Sequence, residues 1–516
     1  MTEVIIVGAG PTGLMLAAEL ALAGVDSVLV ERRANQELVG TRALGLQSRT
    51  LEMLDQRGIV DRFLDEGQVA QVLGFGNTRL GIIDFPSRHP YGLGLRQQRT
   101  EHILAGWVEE LGVRINYGVD VTGFDQDRSG VEAQLSDGRV LRADYIVGCD
   151  GGRSRIRKAA GIDFPGWEPT MSSLIAEVEL TEEPEWGVHQ HEFGTQAFSQ
   201  LPNGRASLVV SEKEPQESSE PTLDDLRFAL TEAWGQDFGV RDPSSLTRFT
   251  DMARQAAAYR SSRVLLAGDS AHVHSPVGGQ GLNTGVQDAV NLGWKLAQVV
   301  RGTSPDSLLN TYHSERHAVG ARVIHHNLAQ TALMRMDDRV NALNEVIDGW
   351  LHMDEPRKSL AGDLSGLAIR YEARTDVAGT ADAAGGTVDA SSDVHPLVGR
   401  RMPDLDLHTP AGARRTFTLL HSARPVLLNL GDPSDIDVRA WADRVDRVDA
   451  RYYGVWDLPV IGEVSAPTAV LIRPDGYVAW VGQSSAAGLS EALGFWFGSG
   501  RDSPSAGSPQ TISPRQ

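Results

Sequence analysis

Three short runs hold the residue types that binding a phosphate-bearing cofactor requires. The first is Gly8-Ala9-Gly10-Pro11-Thr12-Gly13, set between the apolar run Val4-Ile5-Ile6-Val7 and a stretch from Pro11 to Gly24 that reads as a helix. Gly8 permits a tight turn, Gly10 lets the backbone approach a pyrophosphate, and Gly13 lets the helix pack close to the strand. A helix opening at Pro11-Thr12 offers free N–H groups and a partial positive charge to phosphates. Ser27 to Val30 reads as a second strand ending in Glu31-Arg32, where a carboxylate can hydrogen-bond a ribose hydroxyl. This is a compact βαβ nucleotide-binding unit, and alone it does not say which dinucleotide.

The second run narrows the choice. Gly268-Asp269-Ser270-Ala271-His272 follows the buried-strand pattern Val264 to Ala267. An aspartate at such a strand end can hold a ribityl hydroxyl. Pro276-Val277-Gly278-Gly279-Gln280-Gly281-Leu282-Asn283-Thr284 then opens a long helix, in which Leu282, Val286, Ala289, Gly293 and Leu296 share one face. Glycines there, Gly279 and Gly281 among them, let backbone approach a flat ring. The N–H groups of Leu282 and Asn283 would face a flavin carbonyl and stabilise the reduced ring's negative charge. The third run is Cys149-Asp150-Gly151-Gly152-Arg153-Ser154-Arg155-Ile156-Arg157. It suits a site near phosphates and equally suits a surface salt-bridge turn.

The remaining chain must position these runs. Its 516 residues allow two to four domains, and a hydrophobic content of 41% suffices for packed cores. A net charge of −20 argues against nucleic acid or an anionic membrane as partner. The single cysteine, Cys149, excludes an internal disulfide, a CxxC redox pair and a cysteine zinc cluster, and reads as a buried thiol at a strand end. The N-terminus lacks a basic leader and no apolar run is long enough to span a bilayer, so a cytoplasmic protein is expected. Short strand candidates between about 165 and 260 read as an insert, and residues 376 to 394 as a linker. Beyond 396 come a strand at Val426 to Leu430, a helix around Val438 to Val445, a hairpin turning on Pro474-Asp475-Gly476 and a helix from Leu489 to Phe497.

With the three runs in this order, residues 1 to about 350 resemble the class A flavoprotein aromatic hydroxylases, the para-hydroxybenzoate hydroxylase family. Arg155 to Gly166, Gly281 to Asp288 and the long C-terminal extension resemble the bacterial angucycline and other aromatic-polyketide hydroxylases. The resemblance implies a mixed α/β and α+β fold: a Rossmann-like FAD domain, an inserted β-sheet substrate domain and a C-terminal thioredoxin-like domain. The expected division is 1–165 (with about 70–95 contributing to the substrate domain), 166–262 for substrate, 263–375 returning to the FAD domain, 376–395 as linker, 396–498 thioredoxin-like without CxxC, and a disordered tail from 499 to 516. By the same resemblance Arg42 lies near the flavin and the pyridine-nucleotide site, Gln97 contacts the ribityl chain, Val121 the adenine side, and Asp150 the nicotinamide encounter. The implied activity is an FAD-dependent monooxygenase using NADPH (or NADH) and O₂, hydroxylating a polycyclic aromatic substrate through a flavin C4a-hydroperoxide. Baeyer–Villiger oxygenation, antibiotic inactivation and non-catalytic flavin binding are the alternatives. A monomer or homodimer is expected. His189, His191, His272 and His274 could serve as a base, and none is nominated.

Overall fold

The protein is described here from a computed structural model. It covers residues 2–38, 43–191, 194–201, 203–216, 220–335, 337–372, 394–432, 436–483 and 486–501. Arg42, nearly all of the expected linker and the tail from 502 lie outside the described residues.

The chain begins with β1 (Val4–Val7), α1 (Pro11–Leu22) and β2 (Ser27–Glu31), followed by α2 (Ser48–Asp55), α3 (Gln97–Glu110), β3 (Arg114–Tyr117) and β4 (Tyr145–Gly148). All four residues of β1 are buried, as an apolar strand between two parallel neighbours must be. A separate antiparallel sheet follows, made of β5 (Ser172–Glu179), β6 (Gly187–His191), β7 (Gly194–Gln200), β8 (Ala206–Ser211) and β9 (Arg241–Thr250), with α4 (Leu223–Trp234) inserted before β9. The chain then returns through β10 (Arg260–Ser261) and β11 (Val264–Leu266) to the long helices α5 (Gly281–Val300) and α6 (Asn310–Leu333).

The first sheet runs β10-β11-β4-β1-β2-β3, parallel except for β10. The insert runs β6-β7-β8-β5-β9. One face of the insert carries Leu174, Ala176, Val178, Phe198 and Leu208, which pack with Leu226 and Leu230 of α4. No strand between 68 and 94 joins this sheet. The hairpin formed by Val72–Phe75 and Thr78–Gly81 packs instead on the helices after α6, and Gly92–Gly94 pairs with Gly45–Leu46.

The C-terminal unit has β12 (Val426–Asn429), β13 (Asp446–Asp449), β14 (Ala469–Ile472), β15 (Val478–Gly482) and α7 (Leu489–Phe497). Its order is β13-β12-β14-β15, with β12 and β13 parallel and the other pairs antiparallel, a thioredoxin-like arrangement. The helix expected at Val438 to Val445 is reduced to a single 3₁₀ turn, Arg439–Trp441. Eight residues are too few to sustain a helix on propensity. Trp441 Nε1 donates to the Gly498 carbonyl and Arg444 to those of Phe497 and Ser499, so tertiary bonds take this segment instead. The turn at Pro474–Gly476 forms as read, with the Gly476 N–H donating to the Arg473 carbonyl. Among the described residues no helix is long and apolar enough to cross a membrane.

Candidate active site

β1 and β4 lie side by side, and the chain leaves them toward opposite edges of the sheet. The crevice outside such a pair of carboxyl ends is where open α/β sheets bind ligands. Gly8 and Cys149 meet there. Gly8 has φ +106°, and a Cβ on it would lie 2.3 Å from the Cys149 carbonyl oxygen. A Cβ on Gly13 would lie 1.9 Å from the Gly8 carbonyl oxygen, so α1 starts hard against the turn. Gly10 differs. Its backbone is extended, and a Cβ there would meet nothing within 4 Å. α1 has no side-chain cap, with Pro11 at its first position, so its leading N–H groups point into that open space.

Glu31 is fixed across this turn. Its carboxylate accepts from the Ala9 N–H at 2.7 Å and the Arg33 N–H at 2.8 Å. Arg33 donates to the Ala9 carbonyl at 3.0 Å and to Glu101 at 2.8 Å. Gln97 donates to Glu101 at 2.8 Å and accepts from the Ala43 N–H at 3.3 Å, which links the first turn to the segment beside Arg42. Arg33 and Glu101 went unrecognised in the sequence. The only signal was the four-residue spacing of Gln97 and Glu101 on a helix. Arg32 is exposed, and Val121 is buried two residues beyond Val119, whose N–H donates to the Glu31 carbonyl. Asp150 uses Oδ2 to cap the short helix Arg155–Ala159, accepting from the N–H groups of Arg155 and Ile156, while Oδ1 is buried without a partner.

On the other side of the crevice, Asp269, Pro276 and Gly279 are exposed, and α5 also starts without a side-chain cap. The N–H groups of Leu282 and Asn283 lie in its first turn. A Cβ on Gly281 would lie 3.8 Å from both Asp269 Oδ1 and His274 Nε2, and one on Gly279 would meet nothing within 4 Å. The Asn283 side chain is fully buried and acts as a rivet. It accepts from the Gln47 N–H at 2.8 Å and donates to the carbonyls of Gly45 at 3.2 Å and Gly279 at 2.9 Å. Thr12 closes the junction of the motifs: a Cβ on Gly285 would lie 2.3 Å from Thr12 Oγ1, and only glycine lets α5 come so close to α1.

Behind the loop, Asp288 accepts from the Gly268 N–H at 3.1 Å, from His272 Nε2 at 2.7 Å and from Arg316 Nε at 2.7 Å. Burial would raise the Asp288 pKa, but Arg316 and His272 outweigh it and hold the carboxyl below its usual range. His272 is therefore a structural hydrogen-bonder. His274 Nδ1–H donates to the Ser275 carbonyl at 2.8 Å, and burial lowers the pKa of its ring. His189 and His191 pack against Trp234 on the α4 side of the insert.

Arg96, next to Gln97, reaches across to Glu177 on the opposite face of the insert at 3.3 Å. On this face Ala197, Val209, Ile175 and Thr247 are direct cross-strand neighbours and half-buried. They form one uncharged row across four strands, about 14 Å wide at the usual strand spacing.

Two uncapped helix starts, open space at Gly10 and Gly279, and acidic groups at Glu31 and Asp269 together fit the pyrophosphate, ring and hydroxyls of FAD. Comparison with known proteins agrees. Residues 1–327 match the FAD binding domain family and residues 395–500 the aromatic-ring hydroxylase C-terminal family. The chain is 42% identical over 521 residues to 12-dehydrotetracycline 5-monooxygenase/anhydrotetracycline 6-monooxygenase of Streptomyces rimosus subsp. rimosus, covering 96% of this chain and 99% of that one. It is 38% identical over 507 residues to the rifampicin monooxygenase of Streptomyces venezuelae, covering 96% and 99%. Among solved structures, CabE, an aromatic hydroxylase from angucycline biosynthesis, superposes with a TM-score of 0.86 at 40% identity, covering 97% of this chain and 100% of that one. The chain thus belongs to the aromatic-ring hydroxylase family and is an FAD-dependent monooxygenase.

Proposed function

We propose that this enzyme hydroxylates a polycyclic aromatic polyketide, with NADPH (or NADH) as reductant and O₂ as oxidant, in the cytoplasm. The observation that carries the substrate class is the uncharged row Ala197–Val209–Ile175–Thr247 on the face of the insert that Arg96 reaches. Small and β-branched uncharged side chains at one level make a flat surface, which suits a flat molecule of several fused rings. The relatives named for tetracycline and angucycline chemistry support the same class.

Activating oxygen is the chemistry that FAD supplies when bound and reduced. The chain's own residues would do the rest. Gly8, Gly10, Pro11, Thr12 and Gly13 would seat the pyrophosphate at the start of α1, with Glu31 on the ribose. Asp269 and Gln97 would hold the ribityl hydroxyls. Pro276, Gly279 and Gly281 would bring backbone against the ring, and the N–H groups of Leu282 and Asn283 would meet its pyrimidine edge, where negative charge gathers on reduction. The insert would hold the substrate over the ring and keep water out.

The test is NADPH oxidation by the FAD-loaded enzyme with and without a panel of polycyclic phenols, with products read by mass spectrometry and NMR. Stimulated oxidation with a new ring hydroxyl supports the proposal. A ring-expanded product, or no stimulation by any polycyclic phenol beside an active single-ring phenol, refutes it.

A further inference from the structure

The C-terminal domain carries no redox cysteines, yet the turn between its last two strands reaches helices of the FAD-binding part of the chain. The turn between β14 and β15 places Arg473, Pro474 and Asp475 against α6, α5 and α2, and reaches α1 through Arg57. Arg473 makes a two-pronged contact with Glu315 of α6 and also pairs with Asp475. Asp475 is fully buried and accepts from Asn291 of α5 at 3.1 Å. Its backbone carbonyl accepts from Arg49 of α2 at 2.8 Å. The Pro474 carbonyl accepts from Arg57 at 2.9 Å, and Arg57 in turn grips Glu19 of α1. A Cβ on Gly476 would lie 2.5 Å from the Gln56 amide, so the turn has no room to shift toward α2.

α1, α2 and α5 are the helices that begin at Gly8–Gly10, after Gln47 and at the 276–281 loop. Their far ends or flanks meet at this one turn. Helices are stiff, so a displacement at the turn is carried to their N-termini with little loss. We propose that Arg473 and Asp475 are positioning residues of the monooxygenase: the turn they form clamps α1, α2 and α5 together and so fixes the flavin's surroundings from outside the FAD domain. The inference rests on FAD lying at those helix starts. Neither residue touches the crevice, so an effect on the flavin must travel through the helices.

The test uses the FAD-loaded Asp475→Asn, Arg473→Met and Arg473→Lys enzymes. Four quantities are read: thermal unfolding, the visible flavin spectrum, the two-electron reduction potential, and peroxide released per NADPH oxidised. Asp475→Asn and Arg473→Met should keep FAD but shift the flavin band and potential and raise the peroxide yield by about three- to tenfold. Arg473→Lys, which retains the charge, should restore most of the coupling. Should Asp475→Asn fail to fold, Asn291→Ala removes the α5 side of the contact together with the Asn291 bonds to Glu315 and Lys295, and carries the same readouts. If unfolding temperature falls while spectrum, potential and peroxide yield match wild type, the turn is merely structural and the proposal is wrong. A misplaced cofactor is distinguished separately, because Gly10→Ala would then leave FAD affinity unchanged.

Discussion

Gly10→Ala separates cofactor binding from folding. Gly10 has φ −76° and ψ 179°, which alanine adopts without strain, and its Cβ would meet nothing within 4 Å. Losing glycine's freedom in the unfolded chain and losing a tolerated N-cap pull in opposite directions. The apoprotein should therefore change by less than about 1 kcal/mol. The methyl group points into the space assigned to the pyrophosphate. Losing one charge-assisted N–H···O⁻ bond there costs about 1.5 to 3 kcal/mol. That weakens FAD binding by roughly ten- to hundredfold. Titration of apoprotein with FAD, followed by flavin fluorescence beside thermal unfolding, measures both quantities. Gly8→Ala is the control, because its Cβ would strike the Cys149 carbonyl at φ +106° and should destabilise the fold itself. An unchanged FAD Kd in Gly10→Ala would refute the placement of the pyrophosphate.

Three further outcomes are expected. Gly285→Ala should cost about 1 to 3 kcal/mol by overpacking Thr12, and adding Thr12→Ala should recover at least half; strict additivity in a denaturation cycle would contradict the contact. Asn283→Ala leaves the Gln47 N–H and two carbonyls without their partner, so stability should fall by about 2 to 4 kcal/mol; a loss below about 1 kcal/mol by urea unfolding would show that the rivet is not needed. Glu315 carries a pH signature. Burial would raise its pKa, but Arg473 and Lys295 pull it from 4.5 down to about 2. An acid depressed in the folded state contributes stability above its unfolded pKa and loses it as pH falls. About 3 kcal/mol should therefore disappear between pH 4.5 and 2, and Glu315→Gln should abolish that part of the slope in denaturant midpoints.

The βαβ unit was legible because everything that defines it is local: a strand, three glycines, a helix start and an acid within about thirty residues. The loop before α5 was legible for the same reason. Arg33 was not, because its value lies in Glu101, 68 positions away along the chain. The Asn283 side chain was also missed. Its N–H was anticipated from the helix start, but its three bonds reach residues 45, 47 and 279, which only the folded chain brings together. The segment at 438–445 misled for the opposite reason, since its composition permits a helix and distant carbonyls prevented one.

The two families that match this chain divide it after 327 and before 395, yet the charges do not respect that division. Glu52 pairs with Arg401 and Glu315 with Arg473, all four side chains at most 9% exposed. A hybrid enzyme that borrows its C-terminal domain from a relative inherits only half of each pair. Glu52 would keep only Arg49 and Glu315 only Lys295 unless the incoming domain supplies a matching arginine, so each broken pair costs less than the about 3 to 5 kcal/mol of a fully uncompensated buried charge. The two ends of the chain are therefore best exchanged together, and the insert from β5 to β9 is the unit to exchange when testing the substrate surface proposed above.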